Sequence, residues 1–261
     1  MSQRRILVGL AAALLVTTVL YVVVRSSSEG GDAVATADTG AVTTTSAPAP
    51  TAVPSTAAAP TPTAHPTATA PAPPFESAVE GVTAEELGAS WDPAVAGCAP
   101  PEALRALTVS HWGYDGQVHQ GRVIVEAAQA DRVVAAFRDV YAARFPIERM
   151  VPISEYGGDD QASMRANNTS GYNCRTVAGS SKLSQHALGR AVDINPLVNP
   201  YVQGGTVDPP EGAPWADRSR NDPGMIKAGD AVVRAFARQG WGWGGSWSSG
   251  QDYQHFSASG G

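Results

Sequence analysis

Hydrophobic and polar positions divide the chain into an apolar run, a region without periodicity and a patterned C-terminal part. Residues 6–24 carry no charge and are bounded by arginines, and their length suffices to cross a bilayer core. Residues 26–75 are mostly Ala, Thr, Ser and Pro, a composition typical of a disordered stalk. Strand-like and helix-like patterns follow as far as the C-terminus. We therefore predict a transmembrane signal anchor (1–25), a stalk (26–75) and one folded domain (76–261).

The anchor has a competing interpretation as a cleaved signal peptide. Small-x-small cleavage patterns occur at residues 33–37, about ten residues beyond the apolar run, which is far for a signal peptide and favours an uncleaved anchor. Arg4 and Arg5 precede the run, so the positive-inside rule directs the bulk of the chain outward. The prediction is a single-pass cell-membrane protein with an extracytoplasmic domain, or a secreted one if the segment is cleaved.

The patterned part mixes strands and helices without regular βαβ alternation. Thr83 and Glu86 form a capping box before a short helix. The runs "LTVSHW" and "RVIVE" flank "GYDGQVHQG", which predicts a hairpin. Apolar residues at helical spacing predict helices at residues 127–144 and 230–238. Short apolar runs predict strands at residues 147–153 and 191–194. This order indicates an α+β domain.

Charge and cysteine usage narrow the class of protein. The net charge of -6 and the lack of a basic cluster argue against a nucleic-acid partner. Cys98 and Cys174 are the two cysteines of the chain, and both fall in the domain predicted to be exported. In an oxidising compartment such a pair usually forms a structural disulfide, with two buried free thiols as the alternative.

Candidate chemistry begins in the segment Ser184-Gln-His186-Ala-Leu-Gly189-Arg-Ala191-Val-Asp193. On a continuous helix His186 and Asp193 would lie ~10 Å apart along the axis, so a shared site requires a bend, which Gly189 can provide. If residues 191–195 form a strand, Ala191, Asp193 and Asn195 share one face, while the residues between them face the core.

A second pair of polar side chains lies near the C-terminus. Asp252 and His255 are three residues apart, close enough to face one pocket from a single turn. Two histidines and a carboxylate with an open position form a known catalytic zinc arrangement. Each pattern is weak in isolation, because a lone histidine is more often an ordinary structural residue.

The combined motifs resemble the D-alanyl-D-alanine carboxypeptidase family of metallopeptidases, which includes vancomycin-resistance peptidases and L-alanyl-D-glutamate endolysins. The likeness runs from about residue 104 to 256 and is nearest to a secreted carboxypeptidase-like group. It is carried by "NNTSGYNCR", "SQHALGRAVDINPLVNPYV" and "WGWGGSWSSGQDYQHF". The resemblance implies a Hedgehog/D,D-peptidase-like fold, a small antiparallel sheet with flanking helices. The roles that it implies are zinc ligands His186, Asp193 and His255, general base Asp252, oxyanion-stabilising Arg175 and substrate-binding Ser184.

The resemblance also implies a function, namely zinc-dependent hydrolysis of peptidoglycan stem peptides or cross-links by a D,D-carboxypeptidase or an L,D- or D,D-endopeptidase. The alternatives are a non-catalytic peptidoglycan-binding module on the same fold and a purely structural surface domain. A module that had lost catalysis should lack at least one of the four metal-site residues, and all four are present.

Several neighbouring residues have two interpretations. Arg165 is a second candidate for the oxyanion arginine, although its position is more typical of a surface residue. Asn167 and Asn168 either line the cleft or form a structural turn. Two histidines flank the predicted hairpin, His111 and His119, and no metal role is expected for either. Three tryptophans either pack in the core, which is preferred, or form a cleft wall: Trp241, Trp243 and Trp247.

Overall fold

The computed structural model of the chain describes residues 72–260, and the α+β class is confirmed there. The strands are β1 (Ser77–Gly81), β2 (Leu104–Trp112), β3 (Val118–Glu126), β4 (Arg149–Met150), β5 (Asn168–Thr169), β6 (Ala191–Asp193), β7 (Tyr201–Gln203), β8 (Thr206–Asp208), β9 (Gly242–Trp243), β10 (Gln251–Asp252) and β11 (His255–Ser257). The α-helices are α1 (Ala84–Leu87), α2 (Ala130–Ala142), α3 (Asp160–Arg165) and α4 (Ala231–Arg238).

The largest sheet is antiparallel, with the order β1-β2-β3, and contains the predicted hairpin as β2 and β3. Val123 and Val125 on β3 pack into the core that includes α2, whereas Ile124 belongs to a second apolar cluster with Leu87 and Tyr172. Because both faces of this strand are buried, "RVIVE" shows a continuous apolar run rather than alternation with polar residues.

The helices α2 and α4 pack on each other and connect the core to the C-terminal strands. The rings of Phe137 on α2 and Phe236 on α4 meet edge to face at 5.8 Å between centroids. Phe236 also stacks on Phe256 of β11 at 4.5 Å. The helices predicted at 127–144 and 230–238 are thus confirmed as α2 and α4. At the start of the first of these ranges, residues Ala127–Gln129 form a 3-10 turn, and α2 ends at Ala142. Their packing fixes the strand that carries His255.

Three smaller sheets accompany the largest one in the described residues. Two three-stranded antiparallel sheets have the orders β10-β7-β8 and β6-β11-β9, and β4 pairs with β5 in parallel. The predicted strand at 147–153 is wrong beyond Arg149–Met150, because Pro152 precedes a 3-10 turn at Ile153–Tyr156. Proline has no N–H to donate to a strand ladder, which favours this early end.

The strand predicted at 191–194 is one residue shorter in the structure, because β6 ends at Asp193. Asn195 has a φ of 46° and therefore does not continue the strand. Its side-chain amide donates to the carbonyl oxygens of Pro146 and Gly224. Asn195 consequently connects three segments of the chain and does not share a strand face with Asp193.

The predicted disulfide between Cys98 and Cys174 is confirmed, and its two cysteines are 76 positions apart in sequence. The residues around the bridge bond to neighbouring segments: Cys174 N–H donates to Ser90 O, and Ala99 N–H donates to Ala187 O. The bridge therefore lies between the segment that contains Arg175 and the turn that contains His186.

The last residues assigned to the stalk contact the folded domain. Tyr141 donates its hydroxyl hydrogen to Pro73 O, and the Phe75 ring packs edge to face on Tyr141. Across residues 72–260 no helix is long and apolar enough to cross a membrane. This finding contradicts the predicted single-pass membrane localisation. That prediction rested on residues 6–24, which lie outside the described residues.

Candidate metal centre

The centre is built on the antiparallel pairing of β6 with β11. This pairing places Asp193 directly opposite His255. Residues opposite each other in an antiparallel pair project to the same face with Cβ atoms about 4.5–5.5 Å apart. The side chains meet accordingly, with His255 Nδ1 3.0 Å from Asp193 Oδ1. The register of a two-strand ladder thus brings together residues that are 62 positions apart in sequence.

The third side chain enters from a 3-10 turn at His186–Leu188, which ends at Gly189 with a φ of 67°. A Cβ at Gly189 would lie 2.4 Å from the backbone nitrogen of Glu126. Glycine is therefore required twice, for the left-handed backbone and for the close approach to β3. The bend predicted at this residue is present, and it places His186 Nε2 3.1 Å from Asp193 Oδ2.

The orientation of the His186 ring is set by a backbone carbonyl. Its Nδ1 lies 2.6 Å from Gly171 O, and since a carbonyl only accepts, Nδ1 carries the hydrogen. The other nitrogen, Nε2, then presents its lone pair toward the centre. Hydrogen bonding of the distal imidazole nitrogen to a carbonyl is the usual support of a metal-ligating histidine.

The donor atoms fit a zinc ion. In addition to the two contacts with Asp193, His186 Nε2 lies 3.3 Å from His255 Nδ1. Tetrahedral ligands about 2.0–2.1 Å from an ion are separated by about 3.3 Å, close to these distances. All three residues are buried, and within residues 72–260 they form the one cluster of three or more such donors whose atoms all lie within 4.8 Å of one another.

The electrostatics of the centre favour an ionised carboxylate. Burial acts to raise the pKa of Asp193, but the charges and hydrogen bonds of His186 and His255 outweigh it and hold that pKa well below its usual range. Burial likewise acts to lower the pKa of His186, and Asp193 more than offsets this, so the pKa is raised. A buried carboxylate that remains ionised is suited to hold a cation.

Asp252 lies beside the centre on β10, where it pairs with Tyr201 of β7. Burial raises the pKa of Asp252 to about 7, with His255 opposing and Asp193 adding to the rise. Within the described part of the chain, its buried Oδ1 has no hydrogen-bond partner. A carboxyl group with a pKa near neutrality and a free oxygen is suited to accept and return a proton.

Gly244, within the 3-10 turn Gly244–Ser246, explains part of the Trp/Gly-rich run that precedes Asp252. A Cβ at this residue would lie 2.7 Å from Asp252 O and 3.3 Å from His255 Cβ. Trp241 and Trp243 are buried in the core, as preferred from the sequence. Trp247 instead lies beside the centre, with its ring 5.4 Å from that of His255.

Arg175 lies near the centre without belonging to the donor cluster. Its positive charge acts to lower the pKa of both His186 and Asp252. Its Nη2 forms an ion pair with Asp160 Oδ2 at 3.0 Å. The arginine is therefore close enough to influence the site electrostatically, and its guanidinium is held by a carboxylate of α3.

The other sequence candidates have structural contacts. Ser184 is buried, and its Oγ accepts a hydrogen bond from His186 N–H. Arg165 is exposed at the end of α3. Asn167 donates to Glu148 Oε2, and Asn168 donates to Val151 O, which favours the structural interpretation of both asparagines.

The two hairpin histidines lie outside the donor cluster of this centre. His111 and His119 are paired on β2 and β3, and His119 Nε2 contacts Asp115. Sequence reasoning missed Asp160 and the carbonyl of Gly171. Gly171 lies within the quoted "NNTSGYNCR" motif, but no motif marked Asp160.

A family model described as D-alanyl-D-alanine carboxypeptidase matches residues 178–258. The match contains the whole donor cluster together with Asp252 and Ser184, whereas Arg175 and both cysteines precede it. Comparison with curated proteins and with solved structures gave no match. Over residues 178–258 the chain is therefore similar to the D-alanyl-D-alanine carboxypeptidase family, and this match supports a peptidase.

Proposed function

We propose that the chain is a zinc-dependent peptidase that hydrolyses peptide bonds in the stem peptides or cross-links of peptidoglycan. The observation that carries this proposal is the convergence of His186 Nε2, His255 Nδ1 and an Asp193 carboxylate within 4.8 Å in a buried setting. The family match over residues 178–258 supports the substrate class. The ring hydrogen bond from His186 to Gly171 supports a ligand role for His186.

In this proposal the two imidazoles and Asp193 hold the ion. Zinc bound by these three residues would supply Lewis-acid chemistry, which would polarise a scissile carbonyl and lower the pKa of a water molecule. Asp252 takes a proton from the attacking water and returns it to the leaving amine, which its pKa of about 7 suits. Arg175 donates to the substrate oxygen that gains negative charge. Ser184 supports the site through its hydrogen bond to His186 N–H and is assigned to substrate binding.

The proposal is tested with the purified full-length chain, a synthetic pentapeptide stem and cross-linked muropeptides. We expect zinc-dependent release of a fragment, and the masses of the products identify the bond that is cut. Removal of the ion with a chelator should abolish release, and added zinc should restore it. Release that persists at an unchanged rate in zinc-free protein contradicts the proposal, as does intact substrate after incubation with fully loaded protein.

A matched pair of histidine variants separates site chemistry from general damage. His186→Ala should lose both bound zinc and peptidase activity. His119→Ala removes an exposed imidazole that contacts Asp115 outside the centre, and it should keep both. Equal loss in the two variants would refute the assignment of the centre.

A further inference from the structure

The firmest contact of the Arg175 guanidinium is its ion pair with Asp160. Nη2 pairs with Asp160 Oδ2 at 3.0 Å, and the two side chains are 29% and 26% exposed. Nη1 has a long contact of 3.4 Å with Thr176 O. Within residues 72–260 the buried Nε has no hydrogen-bond partner. The Nε–H is therefore an unpaired donor inside the protein, bonded to the same carbon as the Nη2 that Asp160 holds.

Asp160 is itself held in place. It is the first residue of α3, and the preceding Asp159 caps this helix by accepting a hydrogen bond from Ala162 N–H. The other carboxylate oxygen, Asp160 Oδ1, lies 3.4 Å from Nδ2 of the Asn173 side chain. The backbone N–H of Asn173 in turn donates to the backbone carbonyl oxygen of His186. Asp160 is thus connected through one residue to the turn that carries a proposed ligand.

The next residue of α3 contacts the sheet that contains Asp252. Gln161 donates from Nε2 to Asp208 Oδ1 at 2.7 Å. Asp208 belongs to β8, in the same small sheet as Asp252. In that sheet Asp252 is paired with Tyr201, and Tyr201 is paired with Asp208. The first turn of α3 therefore contacts both the arginine and the sheet of the proposed general base.

We propose that Asp160 is a positioning residue, which holds the Arg175 guanidinium near the metal centre so that it can donate to the oxygen that gains negative charge during peptide hydrolysis. This inference rests on the proposed function. A carboxylate that pairs with Nη2 restricts a long, flexible side chain through a charge-assisted hydrogen bond, the stronger kind. Correct orientation before reaction is a main source of rate enhancement, and small misplacements are costly.

A double-mutant cycle in the full-length chain tests this role. Asp160→Asn should lower kcat by about 10- to 100-fold while KM and zinc content stay near wild type, because the guanidinium acts on charge that develops during reaction. Asp160→Ala, which removes the acceptor altogether, should lose at least as much. In an Arg175→Ala background, Asp160→Asn should change kcat by no more than about twofold.

Asp159→Asn is the matched control. It makes the same charge change one residue earlier, keeps a good helix-capping side chain, and should leave kcat near wild type. Thermal unfolding of each variant checks that α3 remains folded. If Asp160→Asn lowers kcat by the same factor with and without Arg175, its effect is structural and the inference is overturned. Wild-type kcat in both Asp160 variants overturns it too.

A measurement without turnover keeps this inference separate from the proposed function. In ¹⁵N spectra the Arg175 Nε–H should exchange slowly with water in the wild type and in Asp159→Asn, and faster in Asp160→Asn. Lack of activity in the wild type together with this exchange pattern rejects the proposed peptidase and leaves the positioning contact supported. Equal exchange in all three proteins rejects the positioning role.

Discussion

Replacement of Asp252 by asparagine should make the zinc-free fold more stable, and increasingly so as pH rises. Burial raises the pKa of this carboxyl from 3.8 to about 7. A carboxyl with a raised pKa is ionised at a lower pH in the unfolded chain than in the folded one, so its ionisation disfavours folding. The stability that the protonated group contributes is complete below about pH 4 and is lost as pH rises through 7.

The magnitude follows from the shift. A displacement of about three pKa units corresponds to at most ~4 kcal/mol at 1.36 kcal/mol per unit. Asp252→Asn removes this pH-dependent cost, because an amide has nearly the same shape and does not ionise. The difference in unfolding free energy between variant and wild type should therefore shift in favour of the variant by up to ~4 kcal/mol between pH 4 and pH 8.

Urea unfolding of the chelated full-length chain, measured at each pH unit from 4 to 8, provides the assay. Asp217→Asn is a control of opposite sign, since hydrogen bonds from Ser219 lower the pKa of Asp217. The stability that this lowered pKa contributes is present above the unfolded value and is lost as pH falls. A difference between Asp252→Asn and wild type that stays constant from pH 4 to pH 8 would refute the reasoning that Asp252 is desolvated.

Three further predictions concern the metal, a glycine and the disulfide. Asp252→Asn should keep zinc by elemental analysis yet lose about 10²–10⁴-fold in turnover, whereas His255→Ala should lose the zinc; equal zinc loss in both would make Asp252 a ligand. Gly189→Ala should cost about 1–2 kcal/mol for the left-handed backbone plus the clash of its Cβ with Glu126 N, and should weaken zinc binding. Gly179 has a φ of 71° and no atom within 4 Å of a new Cβ, so Gly179→Ala should lose only the stability that the left-handed backbone costs, as measured by urea unfolding. Equal losses of stability in the two alanine variants would contradict the clash at Gly189. Serine at both bridged cysteines should lower stability by about 4–5 kcal/mol on the chain-entropy model for a separation of 76 residues, and free thiols in unreduced protein would contradict the bridge.

Local sequence patterns were sufficient for the elements that are stabilised by their own periodicity. The helices α2 and α4 and the hairpin of β2 with β3 each have a regular apolar pattern and clear end signals. The strands β9, β10 and β11 are two or three residues long, and no window of that length has a period. They exist because distant segments pair with them, as β6 does with β11. Such strands become visible only in the folded chain.

The site likewise contains one half that local sequence spacing predicts and one half that depends on long-range contacts. The ligand half rests on a glycine bend and one strand pair, so its residues are marked by the spacing from His186 to Asp193 and by the final His255. The Arg175 half rests on long-range contacts, including a disulfide and the carboxylate of Asp160, and no local spacing could predict the latter. The donor residues meet through the strand pair and the glycine bend, whereas Asp160 contacts Arg175 and no metal donor, so damage to the two halves should be separable. Changes in the ligand half should remove zinc and activity together, whereas changes around Asp160 should lower turnover in protein that still binds its zinc.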